Sequence, residues 1–520
     1  MTDVFSPGSP PVIQAIDADS VDCDIAIIGS GMGGATLAWA LRRSGARVLV
    51  VERGDFLPRE DENWSPNAVF CQHRYRNAEA WQDGTSRRRF APGVHYYVGG
   101  NTKVYGACLP RFREQDFGAL EHREGVSPAW PVTYADLEPH YDAAEHLYGV
   151  HGTPGADPTE PWRSGEYPYP ALQHEPPIAE FAASLAEQGL HPFAMPSAVD
   201  RREGGACIRC RTCDGFPCKV DAKGDADVRA IRPALATGGV RLLTRAYVHR
   251  LETSPDGRRV HDAVVRRDGA TFRLRAQRFV AACGAVNSAA LLLRSTSDRQ
   301  PQGLANRSGL LGRNYMVHNS TFLIGVDPRR LNTVMFQKTL GLNDWYLSGR
   351  DTPFPLGNVQ MLGKLQGPML RSARRWLPAP AANYIANRSV DLYLTTEDLP
   401  EPGNRVVVGE DGGIRVHWTP NNLASHRELV RRVTRAVRRS GYPLVLTKRM
   451  DIATNSHMCG TAVMGSDERQ SVLDPGCRTH DVENLWIVDS SSFPSSAAMN
   501  PALTIAANAL RVAADGDLLG

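Results

Sequence analysis

Three glycines near the start of the sequence have the spacing of a phosphate-binding turn. Gly29, Gly31 and Gly34 form the pattern G-x-G-x-x-G, and Glu52 follows roughly 20 residues further on. Glycines let the backbone approach a pyrophosphate, and a carboxylate at this distance can bind the hydroxyls of a ribose. The acid disfavours a cofactor that has a 2′-phosphate. The pattern therefore predicts a site for NAD or FAD and does not distinguish between them.

Four cysteines lie close together in the segment CIRCRTCDGFPC. They are Cys207, Cys210, Cys213 and Cys218. Thiolates at such spacings can bind zinc or an iron–sulfur cluster, and a cluster could pass electrons on from a redox cofactor. The spacing does not match the common ferredoxin pattern, and no second group of ligands is evident. Free thiols or a local disulfide are an equal alternative, so we predict no metal.

Strands and a helix must position the glycines and the acid. Residues 25–28 are an apolar run typical of a parallel strand that is covered on both faces. The segment ATLAWALRRSG has helical periodicity and ends at Gly45, and ARVLVVE predicts a second buried strand that ends on Glu52. This order places the glycine turn at a helix N-terminus, where free N–H groups bind anions. We therefore predict a dinucleotide-binding α/β unit.

Two later segments have the pattern of further strands. Residues 279–282 are an apolar run that leads into a leucine-rich helix start. Residues 485–488 form another apolar run, which stops at Asp489. A helix is predicted to begin near Asn500 and Pro501, because a proline in the first turn loses no hydrogen bond. The segment VGGNTKVYGACLPRF would, by itself, be typical of a surface turn.

The bulk composition sets limits on function. Of the 520 residues, 42% are hydrophobic and 22% are charged, and the formal net charge is +3 without long runs of one sign. These values are typical of globular proteins and indicate neither nucleic acid nor an anionic membrane as a partner. No apolar run reaches the roughly 18 residues that a membrane span needs, so we predict no membrane span.

Cysteine usage and the N-terminal residues favour a reducing compartment. Ten cysteines are few for this length and are mostly scattered, which does not fit a disulfide scaffold. The segment MTDVFSPGSPPVIQAIDADS has neither the basic start nor the apolar core of a secretory signal. We therefore expect a cytoplasmic protein whose first residues are a loose lead-in to the first strand.

Five segments follow one another along the sequence. They are the glycine turn with its strands, the VGGNTKVYGACLPRF loop, GAVNSAALLLRS, HMCGTAVMG and VDSSSFPSSAAMNPALT. This order is found in the glucose-methanol-choline oxidoreductases, and the sequence resembles this flavoprotein family over nearly its whole length. The resemblance implies FAD and an α/β fold, in which a Rossmann-like FAD-binding domain is interleaved with an α+β substrate domain on an antiparallel sheet. The implied FAD-binding domain comprises residues 20–125, 225–315 and 450–520, and the substrate domain residues 126–224 and 316–449.

The resemblance also implies which residues surround the cofactor. Gly29, Gly31 and Gly34 would face the pyrophosphate, and Glu52 the adenosine ribose. The other implied contacts are Val248 near the adenine, Gly100 and Asn101 near the flavin, and Asp489 and Pro501 along the ribityl chain and the isoalloxazine edge. In some pyranose oxidases of the family a histidine of the Gly-Gly loop binds FAD covalently. The matching position is Val104, so we predict non-covalent FAD.

The segment HMCGTAVMG resembles the family motif H-x-x-G-T-x-x-M-G, which implies His457 as the catalytic base. Alcohol oxidation removes a hydride from the carbinol carbon and a proton from the hydroxyl, so a base must reach that hydroxyl. Histidine suits this role because its ordinary pKa of about 6.5 leaves much of it neutral near pH 7. Asn500 is the implied partner, whose amide can donate to the same oxygen. His95, His318 and His426 belong to no motif and are predicted to be surface or core residues.

We therefore predict an FAD-dependent enzyme that oxidises a hydroxyl of a sugar-like alcohol to an aldehyde or ketone. SPAWPVTYADLEPHYDAAEHLYGVHG and TTEDLPEPGNRVVV resemble the family's bacterial sugar oxidases and dehydrogenases, a branch with enzymes that act on amino-sugar intermediates of aminoglycoside antibiotics. A polycationic substrate would need acids at the pocket mouth, for which Glu397 and Asp398 are candidates. A solvated turn is an equal interpretation of these two acids. The alternatives are a pyranose oxidase acting at a secondary alcohol (C2 or C3) and a non-redox lyase on the same fold. Oxygen or another acceptor would reoxidise the flavin.

Overall fold

The structure is a computed structural model that describes residues 20–349 and 351–519. The predicted N-terminal lead-in lies outside these residues. Within them the chain forms a seven-stranded sheet and a six-stranded sheet, together with three smaller ones. Each of the two large sheets has a hydrophobic core of its own.

The seven-stranded sheet is built around the strand that precedes the glycine turn. Ser20–Ile28 pairs in parallel with Val48–Val51 on one side and with Ala270–Ala281 on the other. From edge to edge the strand order is Val240–Leu243, Val48–Val51, Ser20–Ile28, Ala270–Ala281, Val260–Arg267 and Ala246–Thr253. Leu485–Ile487 pairs in parallel with the end of Ala270–Ala281. The strands that sequence patterning predicts, distant in the chain, thus meet in one sheet.

The helix after the glycine turn, Met32–Leu41, packs against the C-terminal helix Ala502–Ala514. A Cβ on Gly33 would lie 1.9 Å from the carbonyl oxygen of Val488. Glycine is therefore required where the first helix meets the chain that follows the last strand. This packing holds the glycine turn beside the C-terminal segment.

The six-stranded sheet is antiparallel throughout. From edge to edge its strands are Leu444–Arg449, Asn319–Val326, Ser389–Thr396, Asn358–Met361, Leu340–Leu342 and Phe193–Ala194. Helix Leu423–Arg439 packs on it with the apolar stripe of Leu429, Val433 and Val437. The predicted α/β fold with a second, antiparallel sheet is confirmed.

Helix Tyr134–Tyr148 crosses the predicted domain division. It belongs to the segment assigned to the substrate domain, yet it packs on helix Ala502–Ala514 of the FAD-binding part. The hydroxyl of Tyr141 lies 2.7 Å from Oγ1 of Thr504. A capping box at Thr133 fixes the start of this helix. The boundary near residue 126 stays a prediction. This helix forms one of the contacts between the two parts.

A four-stranded sheet also joins the two parts. Its strands are, in order, Arg405–Val408, Ile414–His417, Trp81–Asp83 and Arg89–Phe90. The remaining strand pairs are Leu120–His122 with Gly125–Ser127 and His151–Gly152 with Tyr169–Pro170. The remaining α-helices are Pro176–Ala186, Arg232–Leu235, Ala285–Arg294, Gly367–Ala373 and Ala379–Ala386. None of the helices in the described part of the chain is long and apolar enough to cross a membrane.

Candidate active site

A cavity of about 1080 Å³ reaches from the glycine turn to the second large sheet. Its lining includes nearly all the residues that the resemblance predicts at the cofactor and the substrate. These are Gly29, Gly31, Glu52, Gly100, Asn101, Val248, His457, Asp489, Asn500 and Pro501. Phe322 and Tyr393 of the second sheet line the same space. The structure therefore brings the predicted dinucleotide site and the predicted base into one cavity.

Gly29 and Gly31 serve the turn in different ways. Gly29 has a φ of +105°, and a Cβ there would lie 2.4 Å from the carbonyl oxygen of Ala282, so the backbone itself requires glycine. Gly31 has an ordinary φ of −70°, and a Cβ there would meet no atom within 4 Å. It leaves open space at the N-terminus of helix Met32–Leu41, where the helix dipole and free N–H groups favour a phosphate. This space fits the pyrophosphate of a dinucleotide.

Gly34 lies at the packing contact behind the glycine turn. It is not among the described residues that line the cavity. A Cβ on Gly34 would lie 2.1 Å from the carbonyl oxygen of Gly29. This glycine therefore allows the first helix to pack closely against the turn, and its place at the pyrophosphate stays a prediction.

Glu52 follows the strand Val48–Val51. Its carboxylate accepts hydrogen bonds from the backbone nitrogen and the hydroxyl of Ser30 at 3.1 and 2.7 Å, and from the nitrogen of Gly54 at 2.8 Å. Burial raises the pKa of this carboxyl group, and the hydrogen bonds oppose the rise. Each carboxylate oxygen offers two lone pairs, and three of the four are used here, so Oε1 of Glu52 can still accept from one ribose hydroxyl.

Asp489 connects two turns at the cavity wall. Its Oδ2 accepts from the nitrogen of Gly284 at 2.9 Å and from the hydroxyl of Ser288 at 2.6 Å. Its Oδ1 accepts from the nitrogen of Ser491 at 2.8 Å. Burial raises the pKa of the Asp489 carboxyl group. The acid thus joins the chain after the last strand to the turn that precedes helix Ala285–Arg294.

Gly100 and Asn101 close the cavity against the glycine turn. A Cβ on Gly100 would lie 3.2 Å from the Cα of Gly31. The side chain of Asn101 donates to the carbonyl of Gly93 at 3.1 Å and accepts from the nitrogen of His95 at 2.8 Å. The loop is therefore held in place by hydrogen bonds of its own.

An antiparallel bridge brings two histidines together at the other end of the cavity. Met316 and Cys459 exchange backbone hydrogen bonds of 3.1 and 2.9 Å. His318 lies two residues after Met316 and His457 two residues before Cys459, so the antiparallel register places them opposite each other. Their Nδ1 atoms are 3.1 Å apart.

This contact fixes the tautomer of His457. Nε2 of His318 lies 3.2 Å from the carbonyl oxygen of Ser496, which can only accept, so His318 holds its proton on Nε2. Burial lowers the pKa of His318 to about 4, which keeps it neutral. Its bare Nδ1 therefore accepts a hydrogen bond from the Nδ1–H of His457. The lone pair on Nε2 of His457 is left for the cavity.

His457 itself is held in the neutral form. Burial, and after it the nearby His318 and Lys338, lower the pKa of His457 well below its usual range. A neutral imidazole with a bare Nε2 is the state in which histidine accepts a proton. The geometry thus provides a base at the position that the motif predicts.

Asn500 also has a fixed direction. Its Oδ1 accepts a hydrogen bond of 2.6 Å from Nε2 of the buried Gln360. The amide nitrogen of Asn500 is therefore the group left to donate into the cavity. Helix Ala502–Ala514 begins two residues later, close to the predicted start.

The cysteine cluster shows no metal geometry. Cys207, Cys210, Cys213 and Cys218 are partly exposed free thiols. In residues 20–349 and 351–519, no group of three or more His, Cys, Asp or Glu side chains could hold a metal ion. Burial raises the pKa of the Cys213 thiol to about 12, so this cysteine stays protonated near neutral pH.

The acids predicted at the pocket mouth lie elsewhere. Glu397 and Asp398 are buried, and neither is among the described residues of the cavity wall. Glu397 accepts from the hydroxyl of Ser127 and lies 3.0 Å from Nε2 of His122, while Asp398 accepts from Nε1 of Trp418 at 2.8 Å. The prediction is wrong because both carboxylates are buried among these interior partners.

Dinucleotide-dependent oxidoreductases set a phosphate-binding turn and an acid–base site in one cavity, and the fold and the cavity place this protein in that class. Comparison with family models makes the assignment specific. Residues 27–320 match the N-terminal model and residues 413–509 the C-terminal model described as GMC oxidoreductase. The chain belongs to the GMC oxidoreductase family, whose members generally bind FAD.

Relatives match along nearly the whole chain. The 6'''-hydroxyparomomycin C oxidase of Streptomyces lividus is 33% identical, with 94% of this chain and 90% of that protein covered. The paromamine 6'-oxidase of Streptomyces fradiae is 30% identical, with 95% and 92% covered. The crystal structure of pyridoxine 4-oxidase from Mesorbium loti shares the fold, with a TM-score of 0.66 at 20% identity over 95% of this chain and 99% of that one. The family resemblance predicted from the sequence is confirmed.

Proposed function

We propose that this enzyme oxidises a hydroxyl group of a sugar-like alcohol to an aldehyde or ketone, with FAD as the hydride acceptor and His457 as the base. The observation that supports it best is the hydrogen-bonded state of His457. Its Nδ1 is engaged by His318 at 3.1 Å, which leaves Nε2 for a substrate in the cavity that begins at the glycine turn. Family membership supports the redox reaction itself.

The cofactor would be held by the residues at the far end of the cavity. The open space at Gly31 and the helix behind it fit the pyrophosphate, and Glu52 retains one lone pair, on Oε1, for the ribose. Gly100, Asn101 and Pro501 would border the flavin. Bound FAD would supply, at N5, the acceptor for the hydride that leaves the carbinol carbon.

The chain's own residues handle the proton and the oxygen. Nε2 of His457 takes the hydroxyl proton, and the resulting cation keeps its Nδ1 hydrogen bond to the neutral His318. The amide nitrogen of Asn500 donates to the same oxygen and stabilises the negative charge that develops on it. The two contacts would also hold the carbinol carbon in one orientation.

The substrate is proposed to be a sugar, and the alternatives compared are a neutral sugar and a positively charged amino-sugar. The two relatives that act on aminoglycosides, by their names, support the hydroxymethyl group of an amino-sugar. The carboxylates of Asp214 and Asp391 line the cavity, but each lies within 3 Å of a lysine ammonium group, at 2.7 Å for Lys338 and 2.8 Å for Lys364. Because both carboxylates are paired with lysines, little negative charge is left to bind a protonated amine of the substrate. The cavity therefore favours a neutral sugar.

A panel of matched sugars tests the proposal. Neutral hexoses, the corresponding amino-sugars and aminoglycoside precursors would be incubated with the holoenzyme and an artificial electron acceptor, and the products identified by mass spectrometry and NMR. An aldehyde at the hydroxymethyl carbon supports the proposed reaction, and a ketone supports the secondary-alcohol alternative. If all these sugars are left unchanged while simpler alcohols react, the proposed substrate class is wrong.

Non-covalent FAD is expected from Val104. This residue lines the cavity and offers no nucleophile that could bind a flavin methyl group. Acid denaturation and centrifugation should therefore release all the yellow flavin into the supernatant. Flavin that remains in the protein pellet after exhaustive washing would contradict this expectation.

His318 is predicted to set the rate through the tautomer of His457. His318→Leu removes the acceptor at Nδ1, so a fraction of His457 should carry its proton on Nε2 and be unable to act as a base. We expect kcat to fall by about 10- to 100-fold with little change in KM, measured with the best sugar of the panel. Asparagine has an oxygen close to the position of Nδ1, so His318→Asn should retain most of the activity. Equal losses in the two variants would contradict the tautomer argument.

A further inference from the structure

A continuous chain of side-chain hydrogen bonds leads from a buried carboxylate to Asn500. Each neighbouring pair in it is within ordinary hydrogen-bond distance. The donors and acceptors are, in order, Asn343 Nδ2 to Asp157 Oδ2 at 2.6 Å, Asn358 Nδ2 to Asn343 Oδ1 at 2.7 Å, Gln360 Nε2 to Asn358 Oδ1 at 2.9 Å, and Gln360 Nε2 to Asn500 Oδ1 at 2.6 Å. Arg113 donates to the same carboxylate oxygen of Asp157.

The second sheet places these amides in line. Asn358 and Gln360 alternate with apolar residues on strand Asn358–Met361, so their side chains lie on one face. Asn343 directly follows the neighbouring strand Leu340–Leu342, which pairs with it in antiparallel register. The linking residues are 0 or 1% exposed, which excludes solvent as an alternative partner. None of these three amides belongs to a recognisable sequence motif.

The carboxylate of Asp157 sets the donor-to-acceptor direction of all these hydrogen bonds. Asp157 can only accept, so Asn343 must point its nitrogen toward it and its oxygen toward Asn358. Asn358 in turn points its nitrogen toward Asn343 and its oxygen toward Gln360. The amide nitrogen of Gln360 has two hydrogens to donate. One of them goes to Asn358 and the other to Asn500. Reversing any single amide would set two oxygens or two N–H groups against each other in the interior, and such unsatisfied buried groups are destabilising.

We propose that Gln360 is a positioning residue that fixes the direction in which Asn500 donates. By holding Oδ1 of Asn500 at 2.6 Å, it turns the amide nitrogen toward the substrate oxygen. Without it, Asn500 can rotate its amide and present an oxygen to a developing alkoxide, which repels it. The inference rests on the proposed function, because it assigns a rate effect to Asn500 in alcohol oxidation.

A double-mutant cycle with Asn500 tests the proposal. Gln360→Met keeps the length of the side chain but removes both hydrogen bonds, and we expect kcat to fall about 10-fold with KM changed less than about 2-fold. Asn500→Ala should lower kcat by about 100-fold. Because Gln360 acts only through Asn500, adding Gln360→Met to Asn500→Ala should change kcat by less than about 2-fold. Gln188→Met is the matched control, since Gln188 is a partly buried amide bonded to Ser440 and to backbone carbonyls.

Gln360→Glu provides a second readout with a defined sign. The introduced carboxyl group can donate to Asn500 only while it is protonated. Its burial raises its pKa, so the variant should be most active at low pH and lose activity as the pH rises through that pKa. The wild type should show no such loss over the same range. Circular dichroism and flavin content of each variant show whether it is folded.

The outcomes separate the inference from the proposed function. Fully additive losses in the double variant, or a Gln360→Glu profile parallel to that of the wild type, overturn the positioning role while wild-type alcohol oxidation stands. If Asn500→Ala oxidises the sugar at the wild-type rate, the assignment of Asn500 in the proposed function is itself wrong. If Gln360→Glu fails to fold, the isosteric methionine cycle alone decides.

Discussion

Alanine in place of His457 is expected to slow reduction of the bound flavin by substrate about 100- to 10,000-fold, because it removes the imidazole whose Nε2 is left free to take the hydroxyl proton. The rate would be measured by anaerobic stopped-flow mixing of the holoenzyme with the best sugar of the panel. His426→Ala is the matched control. His426 is also buried with a pKa lowered to about 4, but it bonds to Thr321 and Thr396 and does not border the cavity among its described lining residues. A His457→Ala rate equal to that of the control would contradict the assignment of the base.

The pH dependence gives a second test of the same residue. The base is active when unprotonated, and burial lowers the pKa of His457 below its ordinary value of about 6.5. The rate of flavin reduction in the wild type should therefore stay constant as the pH falls through about 6.5. It should decline only near the lower pKa of His457 in the folded protein. This acid limb should disappear in His457→Ala. An unchanged acid limb in the variant would assign it to another group.

Valine in place of Gly31 is expected to abolish FAD binding and leave the fold intact. The φ of −70° is accessible to valine, and a Cβ at this position meets no protein atom within 4 Å. The added methyl groups would occupy the space beside the helix N-terminus where the pyrophosphate binds. Flavin absorbance per protein after purification should fall to the background level, and added FAD should not restore it.

The chain offers a matched control for this variant. A Cβ on Gly349 would also meet no atom within 4 Å, and this glycine has no left-handed φ, but it lies on the surface. Gly349→Val should retain the full flavin content. Gly29→Val is unsuitable, because its φ of +105° and the carbonyl of Ala282 would disturb the backbone itself. A normal flavin content in Gly31→Val would show that the cofactor is bound elsewhere.

Much of the first sheet could be predicted because each of its strands can be recognised from its own residues. Four apolar runs, at residues 25–28, 48–51, 279–282 and 485–488, overlap strands of the seven-stranded sheet. A strand buried on both faces has to be apolar throughout, so its pattern is visible without knowledge of its neighbours. The glycines were predictable for the same reason, although only the packing shows that Gly34 supports the helix.

The parts of the site that could not be predicted depend on contacts between distant segments. His318 faces His457 only because the bridge between Met316 and Cys459 sets their register. The direction of Asn500 depends on Gln360, which belongs to a strand of the other large sheet. Such pairs have no signature in the spacing of residues along the chain, because their separation in sequence is set by the intervening fold.

For Glu397 the sequence pattern was misleading. Its segment is acidic and rich in proline, a composition typical of exposed turns. The fold instead buries the carboxylate, which accepts a hydrogen bond from the hydroxyl of Ser127 and lies 3.0 Å from Nε2 of His122. Sequence patterning could not detect this, because a buried polar group needs such neighbours, and Ser127 lies more than two hundred residues away along the chain.

The most direct test of the central claim, that a hydride leaves the alcohol for FAD while His457 takes the proton, is a single turnover without oxygen. The holoenzyme would be mixed anaerobically with the sugar that the panel identifies, and the flavin absorbance and the product would be followed together. We predict that the long-wavelength flavin band bleaches as the carbonyl product forms, one product for each flavin, and that bleaching is slowed in His457→Ala. Product formation without bleaching would contradict the claim and support the lyase reaction.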